Sequence, residues 1–120
     1  MMKKILLLFA MTTLFVGCES IFGNKEADCV ITGQITVTED SSGYIRFLGE
    51  VENTGETKAC FVKVTFVMKD SSDNILDIEF TYVNSTHLDP GQKSSFDCRT
   101  AVEYTLVSSW SYEITWDECD

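Results

Sequence analysis

A chain of 120 residues with 44% hydrophobic and 12% aromatic side chains has apolar content enough for one packed domain and too little length for an array of them. Charged residues make up 23%, an ordinary share, so disorder is excluded for most of the chain although 19 acids outnumber 9 bases. The net charge of −10, with no Lys/Arg cluster beyond residue 4, repels phosphate backbones and argues against nucleic acid as a partner.

The chain opens with Lys3 and Lys4, then an apolar run over residues 5–16 broken only by Thr12 and Thr13, then Gly17-Cys18. Charge, apolar run and small residue in that order mark an export signal. The run is shorter than the roughly 20 residues a bilayer core demands, and it is apolar on all sides, unlike the striped helix of a soluble core. Leu14-Phe15-Val16-Gly17-Cys18 resembles a bacterial lipoprotein lipobox, with Phe15 standing where leucine is usual. The resemblance implies cleavage after Gly17 and acylation of Cys18 with palmitate-type chains. More than one such chain makes a stable membrane anchor. The expected division is a signal peptide over residues 1–17, a lipidated Cys18 with a short tether over 18–27, and a folded domain over 28–120. Cleavage removes two lysines and no acid, so an anionic lipid surface pushes the tethered domain outward.

From Cys29 onward, short runs of β-branched and aromatic residues alternate with turn signals, which reads as all-β. Residues 29–37 form the first run, closed by the polar stretch 39–43. In the second, 44–52, Ile45, Phe47, Gly49 and Val51 share one face and Arg46, Leu48, Glu50 and Glu52 the other. After the turn at Asn53-Thr54-Gly55, Cys60, Val62, Val64, Phe66 and Met68 alternate with Phe61, Lys63, Thr65, Val67 and Lys69. The stretch 70–74 closes a hairpin into 75–83, where Leu76, Ile78 and Phe80 face one way and Asp77 and Glu79 the other. A loop over 84–92 ends in Asp89-Pro90-Gly91. A strand over 93–100, a less regular stretch or short helix over 101–107, and a last strand with Trp110, Tyr112, Ile114 and Trp116 on one face complete the pattern. Six strands with short connections fit two packed antiparallel sheets, since an open meander leaves one apolar face wet.

The succession Phe47-Leu48-Gly49-Glu50-Val51-Glu52-Asn53-Thr54-Gly55, the strand over 62–68, Leu88-Asp89-Pro90-Gly91-Gln92 and Ser95-Phe96 resembles the FxLYD-type immunoglobulin-like domain of bacterial exported proteins. The resemblance covers about residues 29–117. It implies an immunoglobulin-like antiparallel β-sandwich of six to seven strands and a noncatalytic module, and brings no ligand or active-site residues with it. The four cysteines of the domain depart from the family pattern.

Few side chains suggest chemistry. His87 has Asp89 two residues away, but no nucleophile or pocket accompanies it, so a solvated loop histidine is the plainer reading. Ser94, Ser95, Ser108 and Ser109 lack the context of a nucleophile elbow. Asp70, Asp73 and Asp77 lack the order of a calcium loop, and a hairpin turn accounts for the first two. The acidic end Asp117-Glu118-Cys119-Asp120 reads as a solvated tail. Asn84-Ser85-Thr86 fits a glycosylation acceptor, an improbable modification in a bacterial lipoprotein. Trp110, Tyr112 and Trp116 read as an inward row filling a small sandwich, and exposure of Trp116 or Tyr82 would point instead to a sugar-stacking face.

Five cysteines are odd for an exported chain, but assigning Cys18 to lipid leaves an even set, Cys29, Cys60, Cys98 and Cys119. No pair has zinc-knuckle spacing, so disulfides are expected and metal is not. Of three connectivities, strand parity points Cys60 and Cys98 inward toward each other, and strand direction brings Cys29 to Cys119. Cys29 with Cys60 is the main competitor. The expectation is therefore a monomeric, cofactor-free, nonenzymatic lipoprotein, lipid-anchored in the cell envelope with its domain in the periplasm or at the cell surface. It would bind an envelope protein; a small-ligand or glycan binder is the alternative.

Overall fold

The computed structural model describes residues 26–119 and the backbone of Met2–Leu6. Cys18, most of the expected signal peptide and the tether up to residue 25 lie outside the described residues. The strands are β1 (Met2–Leu6), β2 (Cys29–Ile31), β3 (Thr36–Glu39), β4 (Tyr44–Asn53), β5 (Ala59–Lys69), β6 (Ile75–Tyr82), β7 (His87–Leu88), β8 (Lys93–Glu103) and β9 (Ser109–Glu118). They form two antiparallel sheets, so the expected all-β sandwich is what the chain builds. One runs β1-β9-β5-β6, with β7 also paired to β5; in the other, β2, β3 and β8 all pair with β4.

Three boundaries differ from the sequence reading. The first expected run is two strands, because Gly33 at φ 73° turns the chain outward before β3 returns to β4. β8 continues to Glu103, and the irregular stretch shrinks to a 3-10 turn at Tyr104–Leu106. His87 lies in the two-residue strand β7, not in a free loop.

The core follows from period-2 patterning. Ile45, Phe47 and Val51 of β4 meet Val62, Val64, Phe66 and Met68 of β5, with Phe96 and Cys98 of β8 and Ile114 and Trp116 of β9 filling between them. Phe66 is the centre. Its ring stacks on Phe47 of the facing sheet at 4.1 Å, and Phe96, Trp110 and Tyr112 surround it at 5.9, 6.0 and 6.4 Å. Gly49 completes the inner row of β4 without a side chain, and a Cβ there would lie 2.7 Å from the tip of the Phe96 ring. Among the described residues every buried apolar side chain belongs to the stretch from Ala27 to Trp116.

The expected pairing of Cys60 with Cys98 and Cys29 with Cys119 is not made. Cys60 bonds Cys119, with Cα atoms 5.4 Å apart, and Cys29 and Cys98 are buried thiols. A bulge is the cause. Between Cys60 and Lys63 the register of β5 against β9 slips, and Phe61 adopts φ 53° with its ring 59% exposed. The inserted residue turns Ala59 inward and takes Cys60 off the inner row, beside the end of β9. Cys29 and Cys98 stand opposite Asn53 and Phe47 on β4, six residues apart. That spacing is about 20 Å along a strand, far beyond the span of a disulfide.

Candidate interaction surfaces

The outer face of the β6 side of the first sheet is apolar. Opposite-residue pairs in an antiparallel ladder point the same way, so Ile78, Phe80 and Tyr82 share a face with Val67, Thr65 and Lys63. Since Met68, Phe66 and Val64 face the core, Ile78, Phe80 and Tyr82 face water, each about half exposed (53%, 50% and 51%). Phe80 and Tyr82 meet edge to face at 82°, and the Lys63 ammonium covers the Phe80 ring at 4.7 Å. Asp77 and Glu79 take the inner positions opposite Met68 and Phe66, which an edge strand tolerates because their carboxylates reach solvent past the sheet.

The aromatic row of β9 is divided from this surface. Trp116 is buried, and Trp110 and Tyr112 pack against the core, as an inward row requires; Tyr82, by contrast, is exposed. Burial raises the Tyr112 phenol above its ordinary pKa.

Beside the disulfide lies a shallow depression of about 580 Å³ lined by Lys58, Phe61, His87, Asp117 and Glu118. Its two sulfurs are joined to each other, so neither is a nucleophile. Asp89 lies 3.9 Å from Lys58 in an ion pair. Ser94 Oγ accepts a hydrogen bond from the Ser85 amide, and Ser95 Oγ from Asn84 Nδ2, at 2.9 and 3.0 Å. Asp70 Oδ1 accepts from the amides of Ser72 and Asn74 and closes the β5–β6 hairpin; these bonds hold its carboxyl below the usual range. Among the described residues no group of three His, Cys, Asp or Glu is arranged to hold a metal ion.

The two thiols are sealed. Burial, with Asp28 and Glu118 near Cys29 and Glu79 and Asp97 near Cys98, pushes both to about 12. On the outer face of the second sheet, Arg46 forks onto Asp97, with Nε donating to Oδ1 at 2.8 Å and Nη2 to Oδ2 at 2.6 Å.

Sequence reasoning anticipated the alternation of β6 but not which row faces water, and it missed the bulge at Phe61 entirely. The local clue to the first is the pair Asp77 and Glu79, carboxylates whose inner placement suits only the edge strand that β6 forms. Compared with family models, curated proteins and solved structures, the chain matches none of them.

Proposed function

We propose that the chain is an exported lipoprotein, acylated at Cys18 and anchored in a bacterial cell envelope, whose immunoglobulin-like sandwich binds an envelope protein and performs no reaction. The strip of Ile78, Phe80 and Tyr82 carries this reading. Three large apolar side chains side by side in water, bordered by Lys63, Thr65 and the strand ends, have the make-up of an interface centre with a polar rim. The net charge of −10 opposes close approach of two copies, which favours a different protein as the occupant.

A glycan or small-ligand module is the second reading, favoured by the exposure of Phe80 and Tyr82. Their perpendicular rings and the lysine over Phe80 leave no flat platform for a sugar, and the depression at the disulfide lies against other residues. Protein recognition fits better.

Palmitate labelling of cells tests the anchor. Wild-type chain takes the label, whereas Cys18→Ser loses it and leaves the membrane fraction; a cleaved Cys18→Ser chain retained on membranes overturns the anchor. For the module, crosslinking of the anchored chain yields a defined envelope protein, and a Phe80→Ser/Tyr82→Ser variant of unchanged circular dichroism recovers about tenfold less of it. Equal recovery overturns the strip as the binding face.

A further inference from the structure

The first sheet ends on two unlike edges. At the β6 edge, Asp77 and Glu79 occupy inner positions and the ladder with β5 slips between Met68 and Lys69, features that discourage a further strand. The β9 edge has neither over residues 113–117. Its inner residues Ile114 and Trp116 are buried, it contains no proline, and β1 pairs with it over five residues without a break in register. From the other side β9 is held by its long ladder with β5 and by the Cys60–Cys119 bond, so the edge is set before anything joins it. Charge favours a base at one register position: Lys4 of the seated strand stands opposite Thr115, with Glu113 and Asp117 two residues to either side on the same face of β9, while Lys3 stands opposite Trp116. β9 has three acids, Glu113, Asp117 and Glu118, and no base, and the strand seated beside it has the sequence MKKIL, two lysines among apolar residues.

We propose that the β9 edge accepts an extended basic and apolar segment of a partner protein as an added antiparallel strand, in the place that Met2–Leu6 takes in the uncleaved chain. Main-chain hydrogen bonds give such a strand its hold, and the acidic border of β9 gives it a sign. Cleavage before Cys18 vacates the edge; this step alone rests on the processing reading above.

Hydrogen exchange and chemical shifts at β9 test the proposal. In the full-length chain, Ile5→Pro removes one strand N–H and speeds exchange of the β9 amides facing β1 by about tenfold, leaving those facing β5 unchanged. A chain beginning at Glu19 retains every buried apolar residue from Ala27 to Trp116 and is titrated with the peptide MKKIL. Saturable shifts confined to residues 113–117 are expected, and a spin label on the peptide N-terminus should broaden Asp117 more than Glu113, because Met2 stands opposite Asp117. The peptide MEEIL should bind about tenfold more weakly. Shifts at β6, equal binding of both peptides, or no shift at β9 overturn the acceptor edge. Concentration-dependent protection of β9 without peptide assigns the edge to a second copy and overturns a partner strand. Membrane retention of a cleaved Cys18→Ser chain refutes the anchoring reading and leaves the peptide result standing.

Discussion

Asn53, fully buried at the end of β4, donates from Nδ2 to the carbonyl of Leu88 at 3.0 Å and so joins two segments 35 residues apart. The same amide donates to Thr57 O at 2.8 Å, while Oδ1 accepts from the amides of Asp28 at 3.1 Å and Gly55 at 2.9 Å. Its main chain continues the clamp, with Gly91 N donating to Asn53 O at 2.7 Å. One side chain thereby satisfies four backbone groups from three segments at one end of the sandwich. Asn53→Ala leaves several of them buried without a partner and should lower stability by about 3 kcal/mol. Urea unfolding with an unchanged m-value checks this.

Gly49 and Phe96 share space that only one side chain can fill. Gly49→Ala should cost about 2 kcal/mol through displacement of the ring, the usual penalty for overpacking. Adding Phe96→Leu shortens the ring-side partner, so the double variant should lose less than the sum of the single losses; thermal unfolding of the four chains measures the coupling.

Non-reducing peptide mapping should yield one cross-linked fragment, joining Cys60 to Cys119. Replacing both by serine opens a loop with a sequence separation of 59 residues and should cost up to about 4 kcal/mol in the loop-entropy account. A fragment linking Cys60 to Cys98 would contradict the bulge at Phe61.

Cys29 and Cys98 should resist thiol reagents in the native state. In a Cys18→Ser chain, Ellman's reagent at pH 8 should find no rapidly reacting thiol until denaturant releases two. Because burial raises their folded pKa from 9.0 to about 12, the stability they contribute is complete below pH 9 and is lost as the pH rises toward 12. Cys98→Ala should flatten that alkaline loss.

Asp97 works at the other end of the pH scale. The hydrogen bond from Arg46 chiefly, with the charges of Arg46 and Arg99, holds its carboxyl below the ordinary value of 3.8. Such a group stabilises the fold above its unfolded pKa and loses that contribution as the pH falls through its folded one. Acid unfolding of Asp97→Asn should therefore be less steep below about pH 4 than that of wild type. Burial raises Asp28 and acts with the opposite sign, but it is common to both chains.

Strand parity made much of this fold readable beforehand: Ile45, Phe47 and Val51, then Val62 to Met68 on alternate positions, then Trp110 to Trp116, all face inward as their spacing demands. Parity failed at Ala59-Cys60-Phe61, where three apolar residues in succession carry no glycine or turn signal to announce a bulge. That single slip misdirected the cysteine pairing. In β6 the alternation was plain but its sense was not, since inner carboxylates are costly in a central strand and cheap at an edge. Asn53 reads locally as a turn residue, and its four bonds depend on segments brought together only by the fold.

The placement of Cys98 between the two bonded cysteines has a consequence for the order of events during maturation. In the unfolded chain Cys60 meets Cys98 more readily than Cys119, because the shorter loop closes at less entropic cost. A premature bond there would trap β5 against the wrong strand. Packing β2 and β8 first withdraws the Cys29 and Cys98 thiols into the core and leaves Cys60, at the bulge, to pair with Cys119. Correct oxidation of this chain is thus a readout of folding already done, and an oxidant acting faster than the sandwich assembles would lower the yield of native protein where a slower one would not.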